Sequence, residues 1–122
     1  MQFTFRHTNF NVLDLQRSME FYKEALGLTE VRRIETPDFT IVYLGDGVSD
    51  FQLELTWLKD RKEPYNLGEN EFHTAFSVKD MDAALAKHKK WAASSMKIRL
   101  WAFILSSTPT VTGWKSFRNG KP

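Results

Sequence analysis

Hydrophobic and polar positions along the chain alternate between two periods, which divide it into elements. Residues 3–12 read as a strand closed by Asp14, whose carboxylate suits the free N–H groups of a first helical turn. Leu15, Met19, Tyr22 and Leu26 then recur at helical spacing, and Gly27 stops the helix. Residues 29–35 form a short strand. Thr36-Pro37-Asp38 is a turn, because Pro fixes φ and Asp bonds its own backbone. Residues 39–44 form a strand ended by Gly45-Asp46-Gly47. From Phe51 to Trp57 the alternation is clean: Phe51, Leu53, Leu55 and Trp57 lie on one face, and Gln52, Glu54 and Thr56 on the other. Residues 58–71 are a polar loop with Pro64 and Gly68. Alternation returns with Phe72, Thr74, Phe76 and Val78 opposite His73, Ala75 and Ser77. Met81, Ala84, Leu85 and His88 mark a second helix.

The order strand, helix, three strands, strand, helix predicts an α+β chain of paired βαβββ modules, the first at residues 1–58 and the second at 72–122, within one domain. The second module needs three closing strands. Past Trp91, one apolar run at residues 98–105 and a Ser/Thr/Pro stretch at 106–112 supply only one, so this module is expected to be incomplete and aberrant from about residue 91.

Composition narrows this picture. A hydrophobic fraction of 42% with ten Phe and four Trp in 122 residues excludes a disordered chain. The absence of Cys excludes a disulfide framework and thiol chemistry. No signal-peptide run and no bilayer-length apolar segment is present, so a soluble, cytoplasmic protein without membrane contact is expected. Net charge is only +2, but no Asp or Glu follows Asp82, while eight Lys or Arg do. Those cations form no tight cluster, so nucleic acid is not an expected partner.

Three residues are candidate metal ligands: His7, Glu54 and His73, each in mid-strand. A carboxylate between Leu53 and Leu55 is costly to bury without a cation. Two imidazoles and a carboxylate suit Zn, Ni, Co or Fe(II). Separate strands impose no diagnostic spacing, however. On spacing alone the plainer reading, two hydrogen-bonded histidines and a solvent-facing Glu, stands ahead.

The local sequences alter that balance. His7-Thr8-Asn9-Phe10-Asn11-Val12-Leu13-Asp14-Leu15, followed by Arg17-Ser18, Phe21-Tyr22 and Leu26-Gly27-Leu28, resembles the opening of glyoxalase I, a family of the vicinal-oxygen-chelate superfamily. Tyr43-Leu44-Gly45, Leu53-Glu54-Leu55-Thr56-Trp57, Tyr65-Asn66-Leu67-Gly68 and Glu71-Phe72-His73-Thr74-Ala75-Phe76-Ser77-Val78 continue the resemblance to about residue 90. The resemblance implies the vicinal-oxygen-chelate fold and a lactoylglutathione lyase reaction, which isomerises the hemithioacetal of methylglyoxal and glutathione to S-lactoylglutathione. It implies His7, Glu54 and His73 as three of four ligands to a divalent metal, Ni or Zn. It implies a homodimer, with His7 and Glu54 from one copy and His73 from the other. Arg6, Asn9, Arg32 and Arg33 are candidate glutathione contacts, since cations suit its carboxylates.

The family's fourth ligand, a Glu that is also its leading candidate for the base, belongs to a C-terminal motif like Asp-Pro-Asp-Gly-Tyr-Trp-Leu-Glu-Ile. No residue of this chain fills that role, so no catalytic base is assigned and impaired activity is expected. A shifted reading frame accounts for the loss. Read from the third codon base at Lys90, the Met96-Lys97 junction must give Glu and the Trp101-Ala102 junction must give Gly. From Ser107 onward, permitted codons spell Asp-Pro-Asp-Gly-Tyr-Trp-Leu-Glu-Ile-Ile-Pro. Its Glu is forced by Trp114-Lys115, because Trp has a single codon and Lys begins with AA. Other readings also fit parts of the pattern. An extradiol dioxygenase uses two His and one carboxylate around Fe(II). Ligand-sequestering members commonly lack the ligands kept here. A metal-free remnant without activity is the remaining alternative.

Overall fold

The computed structural model describes residues 1–69, 74–93, 103–107 and 115–116. The chain divides into two compact units, Met1–Asn66 and Leu67–Pro122. The first contains β1 (His7–Val12), α1 (Leu15–Leu26), β2 (Thr29–Glu35), β3 (Phe39–Gly45) and β4 (Gln52–Leu58). This is the βαβββ module expected from the alternation. The second unit contains β5 (Thr74–Val78), α2 (Met81–Ala93), β6 (Phe103–Ser107) and β7 (Lys115–Ser116).

Helix α1 begins where Asp14 accepts from the Arg17 N–H at 3.0 Å, satisfying one orphan donor of the first turn. It ends at Gly27, whose φ of 70° is left-handed and whose N–H returns to the Lys23 carbonyl. Only Gly adopts that conformation without steric cost. The helix buries Phe21 and Ala25 and packs on β2 and β4.

In the first unit the strands run in the order β1-β4-β3-β2. β1 and β4 are parallel, and the other pairs are antiparallel. Cross-strand partners Val42 and Leu55, and Leu44 and Leu53, are buried together on one face. Val42 and Leu55 are 0% exposed and Leu44 is 1% exposed. Burying each contributes roughly 1.5–3 kcal/mol. The opposite face carries His7, Asn9, Glu54, Thr56, Tyr43 and Arg32 in matching register. A sheet with one apolar and one polar face leaves the second free for chemistry.

Three expectations need correction. The first strand begins at His7, not at residue 3. Its ladder partner β4 starts opposite at Gln52, so only the Arg6 carbonyl gains one further bond, and Phe3 and Phe5 stay 87% and 90% exposed. The tail supplies two strands where one was expected: β6 pairs parallel with β5, and β7 pairs antiparallel with β6. Strand β6 also runs into Ser106 and Ser107, which read as part of a polar, non-strand stretch. Whether the second module closes further falls outside the described residues.

In the second unit Thr74, Phe76 and Val78 are half-buried while Ala75 and Ser77 are exposed, matching the period of two. In α2, Met81, Ala84 and Leu85 are half-buried and His88 is buried, the same stripe that the helical spacing marks.

Candidate metal centre

Two of the three candidate ligands meet on the polar face of the first sheet. His7 opens β1 opposite Gln52, and Glu54 sits two register steps further along on β4, opposite Asn9. Parallel pairing sets the two side chains diagonally, and His7 Nε2 lies 3.4 Å from Glu54 Oε2. That separation is long for a charge-assisted hydrogen bond, which closes to about 2.7–2.9 Å. It matches two donors sharing one cation: ligands about 2.1 Å from an ion at the tetrahedral angle are about 3.4 Å apart. The Glu54 side chain is 13% exposed and that of His7 is 44% exposed. A carboxylate this enclosed gains from a cation. The donor chemistry and spacing therefore fit a divalent metal. Among the described residues no third His, Cys, Asp or Glu joins the pair. His73 lies outside the described residues, so its place relative to the pair is not assigned.

The surroundings of the pair are ordered by register. Tyr43 stands opposite Glu54 on β3 and is 6% exposed. The Tyr43 ring meets His7 edge-on, with centroids 5.5 Å apart at 78°. The phenol is held above its ordinary pKa, first by its interaction with the Glu54 carboxylate and then by burial, with Arg32 pulling the other way. Arg32 faces Tyr43 from β2, with its guanidinium carbon 4.1 Å from the ring centroid. On the other side of Glu54, Thr56 donates to Asn9 Oδ1 at 2.6 Å, and Asn9 Nδ2 donates to Asn11 Oδ1 at 2.8 Å.

The candidate substrate contacts separate. Asn9 lies beside the pair. Arg6 precedes β1 by one residue and is exposed. Arg33 is not brought to the pair. It pairs with Val42 on the helix-covered face, binds both Glu30 oxygens at 2.9 and 2.8 Å, and reaches Met19 of α1 at 3.7 Å. Arg32 takes the position on the polar face instead. The cause is a bulge between Glu30 and Arg32, which inserts Val31 and reverses the alternation of β2. Tyr43 is the site residue that sequence reasoning passed over. Its signal was its place two residues before the Gly45 turn, which pairs it with Glu54.

A βαβββ module with a His–carboxylate donor pair on its free face defines the class to which comparison assigns the fold. The chain belongs to the Glyoxalase/Bleomycin resistance protein/Dioxygenase superfamily, whose family model matches residues 4–99. The lactoylglutathione lyase of Haemophilus influenzae is 39% identical over 83 residues, covering 63% of this chain and 59% of that protein. That of Escherichia coli O157:H7 is 36% identical over 87 residues, covering 66% and 62%. The chain's match thus spans about three fifths of the length of these curated relatives. Among solved structures, the trypanothione-dependent glyoxalase I of Leishmania major superposes with a TM-score of 0.65 at 33% identity, covering 74% of this chain and 67% of that one.

Proposed function

We propose that the chain derives from a metal-dependent lactoylglutathione lyase that isomerises the methylglyoxal–glutathione hemithioacetal to S-lactoylglutathione in the cytoplasm. The observation that carries this is the His7–Glu54 pair at 3.4 Å, set in a chain similar to curated lactoylglutathione lyases. His7 and Glu54 hold a divalent metal, Ni or Zn. His73 of a second copy completes a third ligand position in a homodimer. When bound, the metal polarises the vicinal oxygens of the substrate as a Lewis acid.

The remaining work falls to the chain's own groups. Arg32 makes no ion pair among the described residues, so its guanidinium is available to a glutathione carboxylate. The Thr56–Asn9–Asn11 chain of hydrogen bonds supplies uncharged donors and acceptors along the same face. Removal of the C1 proton needs a base, and no Asp or Glu follows Asp82 to provide the one that the family places near its C-terminus. The chain as written is therefore an impaired enzyme, and residues 90–122 read in the shifted frame restore the missing Glu.

The test compares two proteins, the chain as written and the same chain carrying the shifted-frame reading. Thioester formation is followed with and without added Ni or Zn. Metal-dependent turnover in the shifted-frame protein, at least about 100-fold above the chain as written, is the expected result. A shifted-frame protein that binds metal but forms no thioester sinks the assignment. Oxygen-dependent cleavage of a catechol by that protein would move it to the dioxygenase reading.

A further inference from the structure

The candidate centre has a backing that the ligand set does not include. Asn9, Glu54, Tyr43 and Arg32 are successive partners across β1, β4, β3 and β2, forming one row transverse to the strands. Tyr43 stands beside both donors. Its ring packs edge-on against the His7 imidazole at 5.5 Å, and it is the direct cross-strand partner of Glu54. The Arg32 guanidinium lies over the same ring at 4.1 Å. Tyr43 is only 6% exposed, so it is poorly placed to meet a substrate itself.

A metal site needs donors whose lone pairs converge before the ion arrives. An imidazole rotates about χ2 and a carboxylate about χ3, and each freedom disperses its donor atoms. Partners of ligating groups remove that freedom and raise affinity about 10–100-fold. Here an edge-on ring limits the imidazole from the strand that neighbours the carboxylate. The cation over the ring holds it in place through its quadrupole.

We infer that Tyr43 is a positioning residue for the metal centre, its ring holding the His7 imidazole turned towards Glu54 while Arg32 clamps that ring. This rests on the proposed metal-binding role of the pair. Tyr43→Phe keeps the ring contacts and removes only the hydroxyl. Tyr43→Leu removes both.

The full chain, freed of metal, is titrated with Zn²⁺ and with Co²⁺, whose visible absorption reports ligand geometry. Thermal unfolding of the metal-free proteins is measured alongside. Tyr43→Phe, which keeps the ring on His7, is expected to keep the wild-type Zn²⁺ affinity, Co²⁺ band and metal-free Tm. Tyr43→Leu is expected to weaken Zn²⁺ binding about 10-fold or more and to change the Co²⁺ band. Wild-type affinity and spectrum in Tyr43→Leu overturn the positioning role and leave the metal reading intact. An affinity that falls only in step with the metal-free Tm also overturns it, since the role is then structural. If the wild-type chain takes up no metal, the metal reading fails and the positioning role fails with it.

Discussion

His7 Nε2 and Glu54 Oε2 stand 3.4 Å apart on neighbouring parallel strands, at the spacing of two ligands to one ion. If that spacing serves a metal, neither side chain is replaceable by an isostere that cannot ligate in the same way. Glu54→Gln and His7→Phe are each expected to weaken Zn²⁺ binding by at least about 100-fold while leaving the fold intact, since neither lies in the apolar core. Equilibrium dialysis with circular dichroism of the same samples checks both halves. Retained stoichiometric binding in either variant excludes the pair as a centre.

Stability is expected to depend on the other face. Leu55 is 0% exposed among Val42, Leu44 and Leu53, so Leu55→Ala removes apolar contacts and leaves a cavity. A loss of about 2–5 kcal/mol is expected. Asp14→Ala removes the cap on Arg17 N–H, and about 1 kcal/mol is expected there. Urea unfolding of both variants ranks them. A reversed ranking would mean that α1 is held by its cap more than by its packing.

Acid sensitivity has a local source in the turn between β3 and β4. Asp46 accepts from the N–H groups of Val48 and Ser49, each at 2.8 Å, and from the Ser49 hydroxyl at 2.9 Å. The backbone donors favour the carboxylate, so its pKa lies below the ordinary 3.8. A depressed folded pKa contributes stability above the unfolded value and loses it as pH falls through the folded one. The Tm advantage of wild type over Asp46→Asn is therefore expected to shrink as pH drops below about 4. Thermal scans between neutral and acid pH decide this, and a difference that stays constant would assign the turn's stability to geometry alone.

The sequence made the first module legible because its signals are local. Asp14 caps, Gly27 stops, and Leu53 and Leu55 alternate with Glu54, each within a few residues. The pairing in the candidate site was legible only where residues have distinctive neighbours, as His7 and Glu54 do. What stayed hidden depends on register. Val31 is bulged out of the β2–β3 ladder, and a Cβ at Gly45 would come within 3.0 Å of Val31 Cγ1, so the bulge and Gly45 are matched. No period-two count of β2 contains that irregularity. Tyr43 escaped notice for a similar reason, since its importance is its cross-strand partner. The tail resisted reading because β6 and β7 are defined by pairing to β5 and to each other, not by alternation of their own.

The bulge gives the sharpest test of the site's electrostatics, because it decides which of two adjacent arginines faces the donor pair. Arg32 lies over Tyr43 beside the donor pair, whereas Arg33 is engaged by Glu30 at 2.8 Å and lies 3.8 Å from Glu35. In the shifted-frame protein, Arg32→Ala is expected to raise KM for the glutathione hemithioacetal about 10-fold, by removing one charge-assisted contact. Arg33→Ala is expected to leave KM unchanged. Its exposed ion pairs cost at most about 1 kcal/mol when lost, and a modest fall in Tm is the expected sign. If Arg33→Ala raises KM and Arg32→Ala does not, the substrate approaches from the helix-covered side, and the polar face is not where it binds.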